Sequence, residues 1–134
     1  MSAISLVTVL SLCVLPLIAA ETCQSNPYIN GCSLPFHMPF FYKQKFTPSC
    51  NLHDMCYKCV IHFGKTKADC DSEFYQNMKT ACNSLSKRFL LPDHAACKAS
   101  ALTFYESVKG FGALFFQTTS PSWCAESWTR TCVV

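Results

Sequence analysis

The sequence predicts an all-α fold stapled by disulfide bonds, and three observations support this prediction. No run of alternating apolar and polar residues is long enough for a useful strand. Three long segments contain neither glycine nor proline, which favours helices. Cysteine is also abundant, with 11 among 134 residues, a density typical of a small domain whose core is supported by disulfides.

Residues 1–20 are predicted to be a secretory signal peptide, cleaved after Ala19 or Ala20. They carry none of the 11 basic and 8 acidic residues, and they end in small residues before a polar stretch. A retained membrane anchor is the alternative, but flanking basic residues are lacking. Removing the leader removes Cys13 and leaves an even number of cysteines in a single domain, 21–134. We therefore expect a secreted, extracellular protein and exclude an ordinary cytosolic enzyme.

The first elements of the predicted domain are a long loop and a helix. Glu21–Phe46 is predicted to be irregular because prolines and a glycine interrupt any period. Thr47 can cap a helix and Pro48 suits its first position, so helix 1 is expected over Ser49–Phe63, before Gly64.

The second helix is expected over Asp69–Asn83, where Phe74, Met78 and Ala81 recur at helical spacing. The short connection between helices 1 and 2 makes them antiparallel neighbours. Asp93 can cap a third helix over about His94–Lys109. The tail from Gly110 begins with an apolar stretch, continues with residues typical of loops and carries the last two cysteines, Cys124 and Cys132.

A candidate catalytic pair joins the first two helices. His53 and Asp54 are adjacent on helix 1, so their side chains diverge by about 100° and cannot form one pair. Antiparallel packing can instead bring Asp71 opposite His53, and a Cys56–Cys70 bridge would fix that register. Asp54 is then free to bind a cation.

Two tyrosines are candidate supporting residues for this pair. Tyr57 and Tyr75 each follow a member of the pair by four residues, so they share its helix face. Both are expected to donate hydroxyl hydrogen bonds to the Asp71 carboxylate.

A zinc site is the competing interpretation, because four potential ligands recur every three residues, namely His53, Cys56, Cys59 and His62. On a helix these positions spread over half the circumference and cannot converge on one ion. A redox Cys-x-x-Cys is equally unsupported, since both thiols lie within a helix of a cysteine-rich chain. Three histidines lack a partner at useful spacing and are expected on the surface, namely His37, His62 and His94.

The two helices carry a family resemblance. Helix 1 contains the run Cys50-Asn51-Leu52-His53-Asp54-Met55-Cys56-Tyr57, and helix 2 contains Cys70-Asp71 followed by Phe74 and Tyr75. Both resemble the catalytic elements of secreted phospholipases A2, in particular a small branch of bacterial and fungal enzymes and cone-snail venom conodipines. The resemblance covers about residues 28–112 and includes Gly31-Cys32, Pro39-Phe40, Met78-Lys79 and a late series from Ala96 to Gly112.

The resemblance implies a calcium-dependent hydrolysis of the sn-2 ester of phospholipids. His53 would be the general base on water, and Asp71 would stabilise its imidazolium. Ca²⁺ would bind the Asp54 carboxylate and oxygens of the preceding loop, by position Asn30 and Gly31.

The resemblance also implies disulfide pairs, Cys32–Cys50 beside the calcium loop and Cys82–Cys97. The four remaining cysteines allow three pairings, among which the sequence does not choose, namely Cys23, Cys59, Cys124 and Cys132.

The chain departs from the family pattern at the calcium loop. The glycine-rich loop of the larger animal enzymes is absent, and Asn30 stands where bacterial relatives carry an aspartate. One anionic ligand fewer should weaken the metal site. A phospholipase-scaffold toxin that binds a receptor or channel with little hydrolysis is therefore the alternative function, and a purely structural disulfide module is a third.

Two aromatic segments are candidates for contact with a membrane. Phe36–Phe46 combines aromatic residues with Lys43 and Lys45. This segment is either part of the core or a lip that docks onto a membrane, and the same two interpretations apply to Phe115 and Phe116. The net charge of +3 is compatible with an anionic membrane surface, and no motif indicates nucleic-acid binding.

The predicted loop between helices 2 and 3 contains the dibasic pair Lys87-Arg88, a solvated pair or a cleavage site. Conodipines consist of two disulfide-linked chains, and a Cys82–Cys97 bridge would join the products of such a cut. The sequence thus favours a secreted, calcium-dependent phospholipase A2 acting on a phospholipid membrane surface, as a venom component.

Overall fold

The computed structural model describes residues 20–33, 41–85 and 92–133, and these form a helical fold. Three α-helices follow one another, α1 over Lys43–Cys59, α2 over Lys67–Asn83 and α3 over Pro92–Phe111. Three short 3₁₀ helices come next, over Gly112–Leu114, Ser122–Ala125 and Ser127–Thr131. Within these ranges there is no strand beyond an isolated bridge between Thr22 and Ser25. The predicted all-α class is confirmed.

Helix α1 begins at Lys43, so the prediction that Glu21–Phe46 is wholly irregular was wrong for its last residues. Pro48 lies inside the helix, where it lacks the N–H for an intrahelical bond. The Thr47 hydroxyl donates to the Lys43 carbonyl at 2.9 Å in the same turn. Phe46 is fully buried and packs edge-on against Phe104 at 5.5 Å. Burial of this ring offsets the cost of the internal proline and extends the helix.

The connection between α1 and α2 turns at Gly64, as predicted. Regular helix ends at Cys59 rather than Phe63, and looser turns continue to Gly64, whose φ is +65°. Helix α2 then begins at Lys67, two residues before the predicted start. A capping box explains this, because the Thr66 hydroxyl accepts from the Asp69 N–H and the Asp69 carboxylate accepts from the Thr66 N–H.

Disulfides and side-chain contacts show that consecutive helices are antiparallel. Cys56–Cys70 joins α1 to α2, and Cys82–Cys97 joins α2 to α3. At the other end of the second pair, Tyr75 stacks on Tyr105 at 4.9 Å. The seam between α1 and α2 therefore has the register that was predicted.

The core consists of two clusters. The first lies among the three helices and is built largely of aromatic and sulfur-containing side chains, including Phe46, Phe74, Met78, Cys82, Cys97 and Phe104. The second lies between α1 and the C-terminal tail and includes Met55, Cys59, Val60, Cys124, Cys132 and Val133. The tail is thus part of the core.

The structure decides the pairing that the sequence left open. Cys23 is bonded to Cys132, and Cys59 is bonded to Cys124. The Cys32–Cys50 bridge is present as well. Both newly assigned bridges tie the tail to earlier parts of the chain.

The three lone histidines differ from one another. His62 is exposed as expected, but His94 is half-buried, and its Nε2 lies 3.2 Å from the Leu85 carbonyl oxygen. The surface prediction for His94 was therefore wrong, because a helix start packed beside the end of α2 brings a carbonyl within its reach. His37 lies outside the described residues.

Other predictions also fall outside the described residues. They concern the leader up to residue 19, residues 36–40 of the Phe36–Phe46 segment and the dibasic pair Lys87-Arg88. Among the helices that are described, none combines the length and the apolar character needed to cross a lipid bilayer.

Candidate active site

The centre of the site is a buried pair formed by His53 of α1 and Asp71 of α2. The His53 Nε2 lies 2.9 Å from the Asp71 Oδ1, and both residues are buried. Cys56 follows His53 by three residues, and Cys70 directly precedes Asp71. The bridge between these cysteines therefore fixes the two helices where the pair meets. Phe74 stacks on the imidazole with ring centroids 4.6 Å apart, which restricts rotation of the ring.

Asp71 has two further donors. The Tyr57 hydroxyl donates to its Oδ1 at 2.6 Å, and the Lys67 ammonium donates to its Oδ2 at 2.6 Å. Burial by itself raises the pKa of the Asp71 carboxyl. Hydrogen bonds from His53, Lys67 and Tyr57 outweigh burial and hold this pKa below its usual value. Asp71 is therefore ionised at neutral pH.

The ionised Asp71 decides which nitrogen of His53 carries the proton. A carboxylate only accepts hydrogen bonds, so Nε2 must donate to Asp71 in the neutral imidazole. The lone pair of the neutral ring then resides on Nδ1. His53 is arranged to accept a proton at Nδ1 while Asp71 stabilises the charge that results.

The two predicted supporting tyrosines have different positions. Burial, then the hydrogen bond and charge of Asp71, raise the pKa of Tyr57, so its hydroxyl remains a donor. Tyr75 instead stacks on Tyr105, with the Lys79 ammonium 4.6 Å from its ring centroid. The prediction that Tyr75 donates to Asp71 was wrong, because the facing helix α3 offers an aromatic partner on that side.

Lys67 is a partner of Asp71 that was not predicted from the sequence. It precedes Asp71 by four residues on the same helix, a spacing at which opposite charges meet. The four-residue spacing indicates the ion pair only if both residues are helical, and helix 2 was predicted to start at Asp69, after Lys67. The misplaced helix start therefore concealed this ion pair.

Asp54 lies beside the loop that precedes Cys32. The Asn30 N–H donates to the Asp54 Oδ2 at 3.0 Å, and the Gly31 N–H donates to the Asn51 Oδ1 at 3.1 Å. Gly31 has a φ of +70°, a conformation that favours glycine. The structure thus brings Asp54, Asn30 and Gly31 together, as expected of one site.

The surroundings of Asp54 fit a cation with a single carboxylate ligand. Burial raises the pKa of the Asp54 carboxyl, against the opposing effects of the Asn30 N–H, Lys58 and His53. Such a carboxylate is short of compensating positive charge, which a bound cation would supply. Among the described residues, no three His, Cys, Asp or Glu side chains are grouped as metal ligands. Further ligands would have to be amide or carbonyl oxygens of the loop and water.

Lys58 affects the same loop. Its ammonium donates to the Tyr28 carbonyl and lies near enough to Asp54 to lower the pKa of that carboxyl. One loop carbonyl is thereby occupied by a cationic side chain. A cation at Asp54 would be bound close to another positive charge, which disfavours tight binding.

A cavity of about 450 Å³ is lined both by polar groups of the candidate site and by apolar side chains that form an exposed rim. Its lining includes the polar residues His53 and Asp54 and the apolar residues Leu114 and Phe115. Leu114 and Phe115 are 81% and 64% exposed, and Phe111 beside them is 47% exposed. Polar groups suited to proton transfer thus line the same cavity as an exposed apolar rim.

Comparisons with known proteins agree with this arrangement. The family model described as prokaryotic phospholipase A2 matches residues 20–112. Conodipine-P2 of Conus purpurascens is 37% identical over 70 residues, which cover 52% of this chain and 38% of that protein. The conodipine-M alpha chain of Conus magus is 41% identical over 64 residues, 47% of this chain and 78% of that one.

A human protein is also similar. Group XIIA secretory phospholipase A2 of Homo sapiens is 33% identical over 87 residues, 62% of this chain and 44% of that protein. The chain spans about two fifths of the length of the conodipine relatives that it matches first. No solved structure matches it.

The family match covers α1 and α2 with both members of the buried pair, and it ends at the start of the first 3₁₀ helix. This chain belongs to the prokaryotic phospholipase A2 family.

Proposed function

We propose that this chain is a secreted, calcium-dependent phospholipase A2 that hydrolyses the sn-2 ester of glycerophospholipids to a lysophospholipid and a fatty acid. The observation that carries the proposal is the buried His53–Asp71 pair, whose histidine lines a cavity together with Asp54. Five disulfides fit secretion into an oxidising compartment. A role as a venom toxin is part of the proposal and depends on the likeness to conodipines.

In the proposed mechanism, His53 acts as general base. Its Nδ1 takes a proton from a water molecule as the water oxygen attacks the sn-2 ester carbonyl carbon. Asp71 stabilises the imidazolium through Nε2, and the imidazolium then returns the proton to the leaving alkoxide. Tyr57 and the helix seam keep the carboxylate in place during both transfers.

The calcium ligands in this proposal are the Asp54 carboxylate and oxygens of Asn30 and Gly31. When bound there, Ca²⁺ would supply positive charge to the substrate phosphate and to the oxyanion that develops on the ester. The structure supports this role through the half-buried Asp54 carboxylate and the adjacent loop.

The membrane surface is the proposed partner of the exposed apolar rim. We define the lip as Phe111, Leu114 and Phe115, all exposed, the last two of which line the cavity that contains His53. Phe116 is different, because it is half-buried and packs edge-on against Tyr57 at 5.3 Å. Of the neighbouring pair, Phe115 belongs to the lip and Phe116 to the packing behind the site. Exposed aromatic and leucine side chains beside a cavity mouth suit insertion into a lipid surface.

The alternative is a phospholipase-scaffold toxin that binds a receptor or ion channel with little hydrolysis. One structural observation favours it, namely the Lys58 ammonium on the Tyr28 carbonyl close to Asp54. Together with Asn30 in place of an aspartate, this leaves a site with one carboxylate ligand. Activity would then be limited by calcium affinity.

A two-chain form remains part of the proposal. A cut at Lys87-Arg88 would be spanned by three bridges, Cys23–Cys132, Cys59–Cys124 and Cys82–Cys97. The products would therefore stay joined, and mass spectrometry of the native protein before and after reduction would reveal the cut.

The experiment that tests the function measures fatty-acid release from phospholipid vesicles, with calcium and with a chelator. The native chain is compared with His53→Gln, and the exposed His62→Gln is the matched control. Calcium-dependent release by the native chain and by His62→Gln, and its loss in His53→Gln, is expected. Binding to a target without release from any of the three proteins would support the alternative instead.

A further inference from the structure

Lys67 joins the buried pair to the end of α3. Its Nζ lies 2.6 Å from the Asp71 Oδ2 and 2.9 Å from the Val108 carbonyl oxygen. The side chain is 24% exposed, so most of it is shielded from water. Both contacts are charge-assisted hydrogen bonds, which are stronger than neutral ones.

The two oxygens of Asp71 are divided between its donors. Oδ1 accepts from His53 and Tyr57, and Oδ2 accepts from Lys67. A carboxylate held on one oxygen alone can turn about its Cβ–Cγ bond, because that torsion is broad. The bond to Lys67 restricts this turn and so keeps Oδ1 directed at the His53 Nε2.

The end of α3 fixes the position of Lys67 in turn. The Val108 carbonyl lies in the last turn of that helix, where a cation is favoured by the helix dipole. Gly112 directly follows the last residue of α3. A Cβ atom at Gly112 would lie 2.2 Å from the Tyr57 hydroxyl oxygen and 3.2 Å from the Lys67 Cε. Two donors of Asp71 thus pack against one short segment.

We propose that Lys67 is a positioning residue of the catalytic pair, which ties Asp71 to the carboxyl end of α3 and thereby orients His53. This inference rests on the proposed phospholipase activity. Lys67 touches neither the imidazole nor the water in the proposed mechanism, so its effect passes through Asp71. An ion pair that only stabilised α2 would have no such effect on turnover.

The test compares Lys67→Met, which removes the charge but keeps most of the length, with Lys67→Arg, which restores the charge. The matched control is Lys65→Met, because Lys65 lies just before α2 and pairs with Glu73, whereas Asp71 accepts its hydrogen bonds from His53, Tyr57 and Lys67. In the vesicle assay at saturating calcium, kcat of Lys67→Met should fall by about 10- to 100-fold with KM little changed. Lys67→Arg should recover part of kcat, and Lys65→Met should resemble the native chain.

A double-mutant cycle separates positioning from general stabilisation. If Lys67 acts through Asp71, adding Lys67→Met to Asp71→Asn should lower kcat by less than about threefold further. The same fold loss in both backgrounds would contradict the proposal, as would native kcat in Lys67→Met. All assays are run well below the Tm of each variant, and Lys67→Gln replaces Lys67→Met if the latter does not fold.

A spectroscopic measurement keeps this inference separate from the proposed function. Proton NMR of the imidazole N–H groups reports the His53–Asp71 hydrogen bond even in a protein that releases no fatty acid. The His53 Nε2–H resonance should move or broaden in Lys67→Met and remain in place in Lys65→Met. An unchanged resonance in Lys67→Met would overturn the inference, whereas a native chain without hydrolysis would overturn only the proposed function.

Discussion

Two carboxylates of the site, Asp54 and Asp71, have opposite environments although each lies on a helix of the same seam. Asp71 is buried, yet three donors keep its pKa below the usual value. For Asp54 burial prevails, and its pKa is raised despite the Asn30 N–H and the charge of Lys58. The ionised Asp71 therefore suits permanent support of an imidazolium, and Asp54 suits a bound cation.

The raised pKa of Asp54 predicts how metal-free stability depends on pH. An ionised carboxylate with a raised pKa destabilises the folded state above that pKa, and the penalty disappears below the ordinary value of 3.8. Asp54→Asn removes the charge and can still accept from the Asn30 N–H. In chelator, this variant should have a higher Tm than the native chain at pH 7, and the difference should shrink on acidification.

Calcium should reverse the order of the two Tm values, so that the native chain becomes more stable than Asp54→Asn. At 100 times Kd, calcium stabilises the native chain by about 2.7 kcal/mol and should leave Asp54→Asn unaffected. Glu106→Gln, which removes an exposed charge on α3, is the control and should respond like the native chain. Equal calcium shifts in all three proteins, measured by thermal denaturation, would show that Asp54 is not a ligand.

At the scale of elements, the end of α3 and the first 3₁₀ helix serve two purposes. The inward side contacts the groups around Asp71 through Val108 and Gly112. The outward side carries the lip of Phe111, Leu114 and Phe115. The same short segment therefore lies between the proposed membrane surface and the buried pair.

Replacement of the lip should weaken vesicle binding without disturbing the buried pair. Leu114→Ser combined with Phe115→Ser removes two exposed apolar side chains, each worth about 1.5–3 kcal/mol when fully buried. We expect at least a tenfold loss of affinity in a vesicle sedimentation assay, and a smaller loss in the hydrolysis of a monomeric short-chain phospholipid.

The control for the lip is Leu102→Ser on α3. Leu102 is 45% exposed and does not line the cavity. A similar loss of vesicle affinity in this variant would show that exposed apolar area in general, rather than the lip, drives binding.

At the scale of the whole molecule, each of the five disulfides among the described residues lies within one of the two core clusters, two in the first and three in the second. Cys82–Cys97 closes a loop between α2 and α3, and Cys56–Cys70 closes one between α1 and α2. Cys23–Cys132 and Cys59–Cys124 connect the tail to the loop before α1 and to the end of α1. The tail also stacks Trp123 on Tyr28 at 3.9 Å, which braces the loop that precedes Asn30.

Two of these bridges offer a matched comparison, because their sequence separations are 14 and 15 residues. Chain entropy predicts that either loss costs about 3 kcal/mol in the free energy of unfolding. The bridge Cys56–Cys70 also sets the register of His53 against Asp71. Serine replacement of that pair should therefore lower kcat by about tenfold or more, whereas replacement of Cys82 and Cys97 should leave kcat within about threefold.

Denaturant unfolding gives the stabilities for this comparison, and the vesicle assay below both Tm values gives kcat. An equal loss of kcat in the two double variants would mean that the Cys56–Cys70 bridge acts on stability alone.

Much of the site follows from spacing along single helices. Adjacent residues diverge on a helix, so Asp54 could be separated from His53. Cys56 follows His53 by about one turn and Cys70 directly precedes Asp71, and these spacings were sufficient to predict the buried pair and its bridge. Tyr75 shows the limit of such reasoning. Its helix face is set by spacing, but its partner is Tyr105 on α3, whose proximity spacing does not encode.

The sequence by itself determined the helical class, the three helical segments and the identity of the buried pair, because these depend on periodicity, on neighbours within about one turn and on the short connection that makes α1 and α2 antiparallel. Only the tertiary structure decided the pairing of Cys23 with Cys132, the inclusion of Pro48 within α1 and the contact of Lys67 with Val108. Each of these depends on burial or on distances between elements remote in the chain. Such distances result from the packing of all side chains together.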